Sequence, residues 1–261
     1  LVTVIANWKG NFIGNTIARR VFNMAMRNWI TDFDGFWDVA SNWEGGVLPS
    51  VSDDVVIDRS GVEITTTHRT GSTEINSLTS EEAFVMSGGT LEIATTLDLN
   101  NTFSWTGGTL SGTGLTNDGT LNISSNSNKY LAGVLTNKGT ITHNAGSSGE
   151  IFFQNGTLEN QVDAVYELQS GELDTLSGTN AINNAGTFSK TTDGTGLIDV
   201  AFNNSGTVEV AGGTLNLSRG GSSNGGTYTV ANDSTLQFGG GTFSLTGNTT
   251  FTEATWTGGT F

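Results

Sequence analysis

Short runs in which apolar and polar residues alternate, each entered through a Gly-Thr pair, recur along most of this chain. Gly186-Thr187 leads into Phe188-Ser189-Lys190, Gly206-Thr207 into Val208-Glu209-Val210, and Gly226-Thr227 into Tyr228-Thr229-Val230. Successive strand residues point to opposite faces, so the first and third members of each trio are predicted to face inward. A second apolar run follows in each unit: Leu197-Ile198-Asp199-Val200, Leu215-Asn216-Leu217 and Leu236-Gln237-Phe238. Gly, Asn, Asp and Ser separate the runs and suit tight turns.

The Gly-Thr pair returns on a step near twenty residues, as in Gly119-Thr120, Gly139-Thr140, Gly186-Thr187, Gly206-Thr207 and Gly226-Thr227. A fixed period of this length is the mark of a solenoid, in which each repeat stacks on the one before. The predicted fold is all-β: a single-stranded, right-handed parallel β-helix of about 20 residues per coil and roughly nine or ten coils. Gly is read as permitting the corner and Thr as opening a strand whose outward hydroxyl stacks on the next coil. Asn117, Asn137, Asn184 and Asn204 each precede the Gly by two positions, which predicts an asparagine ladder. Between Thr157 and Thr187 one coil lacking the pair is expected on Val165-Tyr166-Glu167-Leu168.

Three zones divide the chain. In residues 1–30, Ile17, Val21, Phe22, Ala25, Met26 and Trp29 recur at helical spacing and predict an amphipathic helix capping the open end of the stack. A leader foreign to the repeats is the competing reading. Residues 31–80 form entry coils, and residues 81–261 form the Gly-Thr array. The closing Trp256-Thr257-Gly258-Gly259-Thr260-Phe261 repeats Trp105-Thr106-Gly107-Gly108-Thr109-Leu110, so truncation in mid-repeat and end-to-end self-association are expected.

The entry zone carries Phe36-Trp37-Asp38, Asn42-Trp43, Gly45-Gly46-Val47-Leu48-Pro49 and then Asp53-Asp54-Val55-Val56-Ile57. A Trp, an Asn-Trp pair, a Gly-Gly-x-x-Pro turn and acids leading into an apolar strand resemble the entry to β-helical repeats of secreted bacterial surface proteins. These are the autotransporter-like and filamentous-haemagglutinin-like adhesins. The resemblance implies a β-helix with a structural or adhesive role at the extracellular cell surface, with polysaccharide or cell-surface glycans as partners. Residues 1–30 do not share the pattern.

Composition fits that picture: 37 Gly, one Pro, no Cys and 13% charged residues. The absence of Cys removes disulfides and thiolate metal sites. No apolar stretch is long enough to span a membrane as a helix. The net charge is −15, yet residues 1–31 hold Lys9, Arg19, Arg20 and Arg27 and no acid. The acidic remainder argues against nucleic acid as a partner, since phosphate binding needs concentrated bases.

Catalysis is the alternative. Enzymes on β-helices act on polysaccharides, and Glu150, Glu159, Glu167, Glu172 and Asp174 crowd one stretch. Two carboxylates about 5 Å or 6.5–9.5 Å apart would serve a glycoside hydrolase. A polysaccharide lyase is disfavoured, because the array has few bases to neutralise a uronate. His143 and Lys190 fall in the inward column, where a partnerless charge is costly and a perturbed group can mark a site. The reading adopted is that the strand ends one residue early and both side chains turn outward. Cofactors are not expected. Calcium is the one ion with hard oxygen ligands on offer, at Asp53, Asp54, Asp58 and Asp193.

Overall fold

The computed structural model describes residues 25–260. They wind into a parallel β-solenoid of about 21 residues per turn. Each full coil contributes strands to three ladders, which form three faces. The first face is an eleven-stranded sheet that runs from Gly35–Phe36 to Thr250–Phe251 and holds the strands opened by Thr120, Thr140, Thr187, Thr207 and Thr227, whereas Gly156-Thr157 opens a strand of the other sheet. The second and third belong to one seventeen-stranded sheet. Early strands such as Gly108–Asn117 and Lys129–Asn137 run across the corner between them, with a register shift at Gly133. Later coils break there into two strands, as in Glu150–Gln154 and Thr157–Asn160.

Register follows the Gly-Thr mark. Thr120 lies opposite Thr140, and Thr187, Thr207 and Thr227 lie in line. Val165 sits between Thr140 and Thr187, so Val165–Ser170 is the coil without the pair. Phe188, Val208, Val210 and Tyr228 are buried as the alternation requires. Tyr166 and Phe188 stack in the interior at 4.9 Å, one coil on the next.

The glycine of the pair has a different physical cause from the one its sequence suggests. Gly139, Gly186, Gly206 and Gly226 are not left-handed. A Cβ on Gly206 would instead collide with the carbonyl oxygen of Gly186, and one on Gly186 with that of Ala164. Strands of adjacent coils lie about 4.8 Å apart, and at Gly139, Gly186 and Gly206 the backbone of the preceding coil leaves no room for a side chain. Left-handed glycines occupy another corner, between the first and second faces, where Gly71, Gly89 and Gly108 have φ of 80, 75 and 84°.

Beside the Gly-Thr corner runs a buried file of amides. Asn117 donates to Asn137, Asn137 to Asn160, Asn160 to Asn184 and Asn184 to Asn204, over 2.7, 2.8, 2.7 and 2.8 Å. The second N–H of each donor reaches a backbone carbonyl of the following coil, at Thr140, Val165, Thr187 and Thr207. Asn160, which no Gly-Thr pair announces, is the fifth member. Its steps of 23 and 24 residues are absorbed in loops, leaving the file unbroken.

At the N-terminal end the predicted helix is corrected where it can be tested. Met26–Asn28 is a strand, pairing in parallel with Asp54–Ile57. A paired rung gives the backbone donors and acceptors of the open sheet edge their partners directly. The rest of the predicted cap, residues 1–24, lies outside the described residues. Trp29, Trp37 and Trp43 are buried and meet edge to face at 5.1 and 4.7 Å. The indole of Trp43 donates to the Trp37 carbonyl, and the Asn42 amide to that of Phe36. Gly45 and Gly46 turn the chain with φ of 74 and 66°. The Trp and Asn-Trp elements therefore pack the first coil shut.

Gly206→Ala should destabilise the protein by about 1–3 kcal/mol through overpacking, read in chemical denaturation. Asn160→Leu should cost at least about 2 kcal/mol, because it strands buried polar atoms of Asn137 and Asn184. Thr229→Ala, on an exposed position, should stay within about 0.5 kcal/mol.

Candidate functional site

The sequence-predicted carboxylates do not share one face. Glu159 sits on the third face and accepts from Asn183 at 2.7 Å. Glu167 sits on the first and accepts from Gln169 and Thr191 at 2.9 and 3.0 Å. Only Glu150, Glu172 and Asp174 come together, on the second face. Glu150 lies opposite Glu172, and Asp174 lies between Phe152 and Asp199 on neighbouring rungs. Tyr130 precedes Phe152 in the same column, its ring stacked on that of Phe152 at 5.6 Å. The outward file on this face therefore reads Tyr130, Phe152, Asp174, Asp199. Asp199 was legible as the polar member of Leu197-Ile198-Asp199-Val200, but nothing in its spacing pointed to Asp174.

Burial of like charges shapes this cluster. Glu172 is held above the ordinary carboxylate value by desolvation, reinforced by the charges of Glu150 and Asp174. Asp174 is also raised, by desolvation and then by its hydrogen bond with Asp199. In Asp199 desolvation acts upward but is overcome by hydrogen bonds from Ser218 at 2.8 Å and Arg219 at 2.7 Å, so its carboxyl is held low. Of the two, Asp199 is therefore the stronger acid. Asp199 is thus committed to Ser218 and Arg219 rather than left free beside Asp174. Surface grooves of about 410 and 390 Å³ lie elsewhere, beside Asn183 and Asn203 and beside Phe33 and Phe36.

His143 and Lys190 overturn the expectation that they turn outward. They are 0% and 1% exposed. Thr140–Asn144 and Thr187–Lys190 continue as strands to those positions, and each side chain finds an internal partner. His143 Nδ1 is bonded to the Tyr166 hydroxyl at 2.8 Å. Burial, and then the charge of Lys129, lower its pKa to about 3, so the ring is neutral. Lys190 Nζ donates to the Thr192 carbonyl at the corner.

Lys129 is buried in the same manner. Its Nζ donates to the Ser125 and Ser127 carbonyls at 2.9 and 2.8 Å, and burial brings its pKa down to about 8. Its register between Gly108 and Ile151 marks it as inward. His68, also buried, is bonded to the Gly88 carbonyl and the Thr73 hydroxyl. Each of these groups is engaged in holding a corner or a rung.

The calcium candidates are dispersed. Asp53 accepts from Ser50 through both its amide and its hydroxyl, at 2.9 and 3.0 Å, and faces Arg27 at 3.6 Å. Asp54 accepts from Asn76 and Ser77, both at 2.6 Å. Asp58 and Asp193 are exposed and lie many coils apart. Among the described residues no group of three or more His, Cys, Asp or Glu is arranged to hold a metal ion. Trp105 is buried and packs the core.

Comparison with family models, with curated proteins and with solved structures gives no match. Among the described residues no helix is long and apolar enough to cross a membrane.

His143→Leu should cost about 1–3 kcal/mol, because it leaves the buried Tyr166 hydroxyl unpaired, whereas adding Tyr166→Phe should recover most of the loss. The folded-state pKa of His143 lies below the ordinary 6.5, so the folded protein binds that proton more weakly than the unfolded chain. Its contribution to stability is whole above pH 6.5 and falls as pH drops towards 3. Denaturation across that window should show a shallower acid loss in the double variant. His68, lowered by burial in the same direction, supplies part of the slope that remains.

Proposed function

We propose that this chain is a structural or adhesive β-helix segment of a secreted bacterial surface protein, serving as a stiff spacer and contact surface. The observation that carries the reading is that polar side chains along the stack are bonded to one another from coil to coil. The buried asparagine file is one instance. In addition, Glu159, Glu167 and the Glu150–Glu172 pair lie on three different faces, so these acids do not converge on one groove. A rod built this way resists bending because each rung is hydrogen-bonded to its neighbours through both backbone and side chains. The lack of Cys, the low charge and the entry-zone resemblance support an extracellular setting.

The alternative is a glycoside hydrolase using the carboxylates of the second face. Incubation with a panel of neutral and acidic polysaccharides separates the two. The expected outcome is no release of reducing ends above that of the Glu150→Gln/Glu172→Gln variant. Turnover by the natural chain that disappears in that variant would overturn the structural reading.

A further inference from the structure

On the third face, outside the buried asparagine file, a second row of polar side chains follows the axis of the stack. Glu159, Asn183, Asn203 and Ser222 occupy one outward column on consecutive rungs. Asn183 donates to Glu159 at 2.7 Å, Asn203 to Asn183 at 2.9 Å and Ser222 to Asn203 at 2.9 Å. The column forms one wall of an open groove of about 410 Å³, and corner residues including Gln161 and Ser205 form the other.

The chemistry of this groove is specific. A primary amide has two N–H donors and a carbonyl with two lone pairs. The row uses one donor and one lone pair on each of Asn183 and Asn203. One N–H and one lone pair therefore remain on each, repeating at the rung spacing of about 4.8 Å. The row also fixes the amide orientations in advance, so a ligand would not bear the cost of ordering them. No Lys or Arg lines the groove, and Glu159 is its one charged group. An anionic polymer is disfavoured on that account. A ligand that matches must be extended, uncharged and furnished with both donors and acceptors at a spacing close to one rung.

We infer that this groove binds a neutral glycan chain laid parallel to the solenoid axis, about one sugar ring per rung, with hydroxyl groups meeting the free valences of Asn183 and Asn203. The inference rests on the adhesive half of the proposed function and supplies its ligand class and its site.

Isothermal titration with linear neutral gluco-oligosaccharides of increasing length tests it. Affinity should rise with chain length until the groove is spanned, and then level off. Asn183→Ala combined with Asn203→Ala should weaken binding about tenfold or more, since the loss of a few hydrogen bonds is worth that factor. Ala185→Arg, which fills the groove without removing a member of the row, should abolish binding and covers the case in which the double variant folds poorly. Glu150→Gln on the second face should bind as the natural chain does. No binding of any oligosaccharide, binding unchanged in both groove variants, or tighter binding of a carboxymethylated glucan would overturn the inference. None of these results involves release of reducing ends, so the inference can fail while the structural reading stands.

Discussion

The close approach of one coil to the next governs this molecule. Every residue in a column is chosen less by its sequence neighbours than by the residue one rung above and one rung below. At the Gly-Thr corner the carbonyl of the preceding coil occupies the space a Cβ would need, and glycine follows from that crowding. Where the pair is missing, Ala164 takes the glycine's place, the smallest side chain that the site accepts. Beside the same corner the rung spacing lets short amides reach each other, and Asn recurs because its side chain closes that gap with a donor and an acceptor at once.

Much of the architecture was legible because a solenoid repeats its constraints at fixed intervals. The Gly-Thr period gave the coil, the alternation after it gave the inward residues, and the unmarked coil at Val165 was found by its absence from the count. What resisted reading were features set by corners. Loops of unequal length shift the linear spacing without shifting the rung, so Asn160 escaped notice and Glu159, Glu167 and Glu172 looked like one group. Their assignment to three faces depends on where the chain turns, which composition does not reveal. His143 and Lys190 were misjudged for another reason. A lone polar residue in an apolar column invites the rule that charge belongs outside, yet the hydroxyl of a tyrosine on the adjacent rung engages one ring nitrogen of His143, and a carbonyl at the corner accepts from Lys190.

The faces differ in how their polar groups are engaged. On the second face two acids sit on neighbouring rungs while Arg219 and Ser218 anchor one of them, a compact arrangement closed on itself. On the third, amides stand in single file with valences to spare. A surface of the first kind stabilises or merely tolerates its charge. One of the second kind offers a repeating pattern to whatever lies against it. The proposed role as spacer and contact surface draws on this contrast rather than on any single reactive residue.

The two files of side chains also have a sense of direction. In the buried one donation runs towards later coils, from Asn117 step by step to the acceptor Asn204. In the outer one, from Ser222 back to Glu159, donation runs towards earlier coils. Aligned amide groups polarise one another and add their dipoles, so each file alone would leave an uncompensated pole at either end. Running in opposite senses on adjacent residues of the same strands, they offset each other where they overlap. Over that overlap, each further coil of the same kind adds a pair of opposed amide dipoles rather than extending a single one.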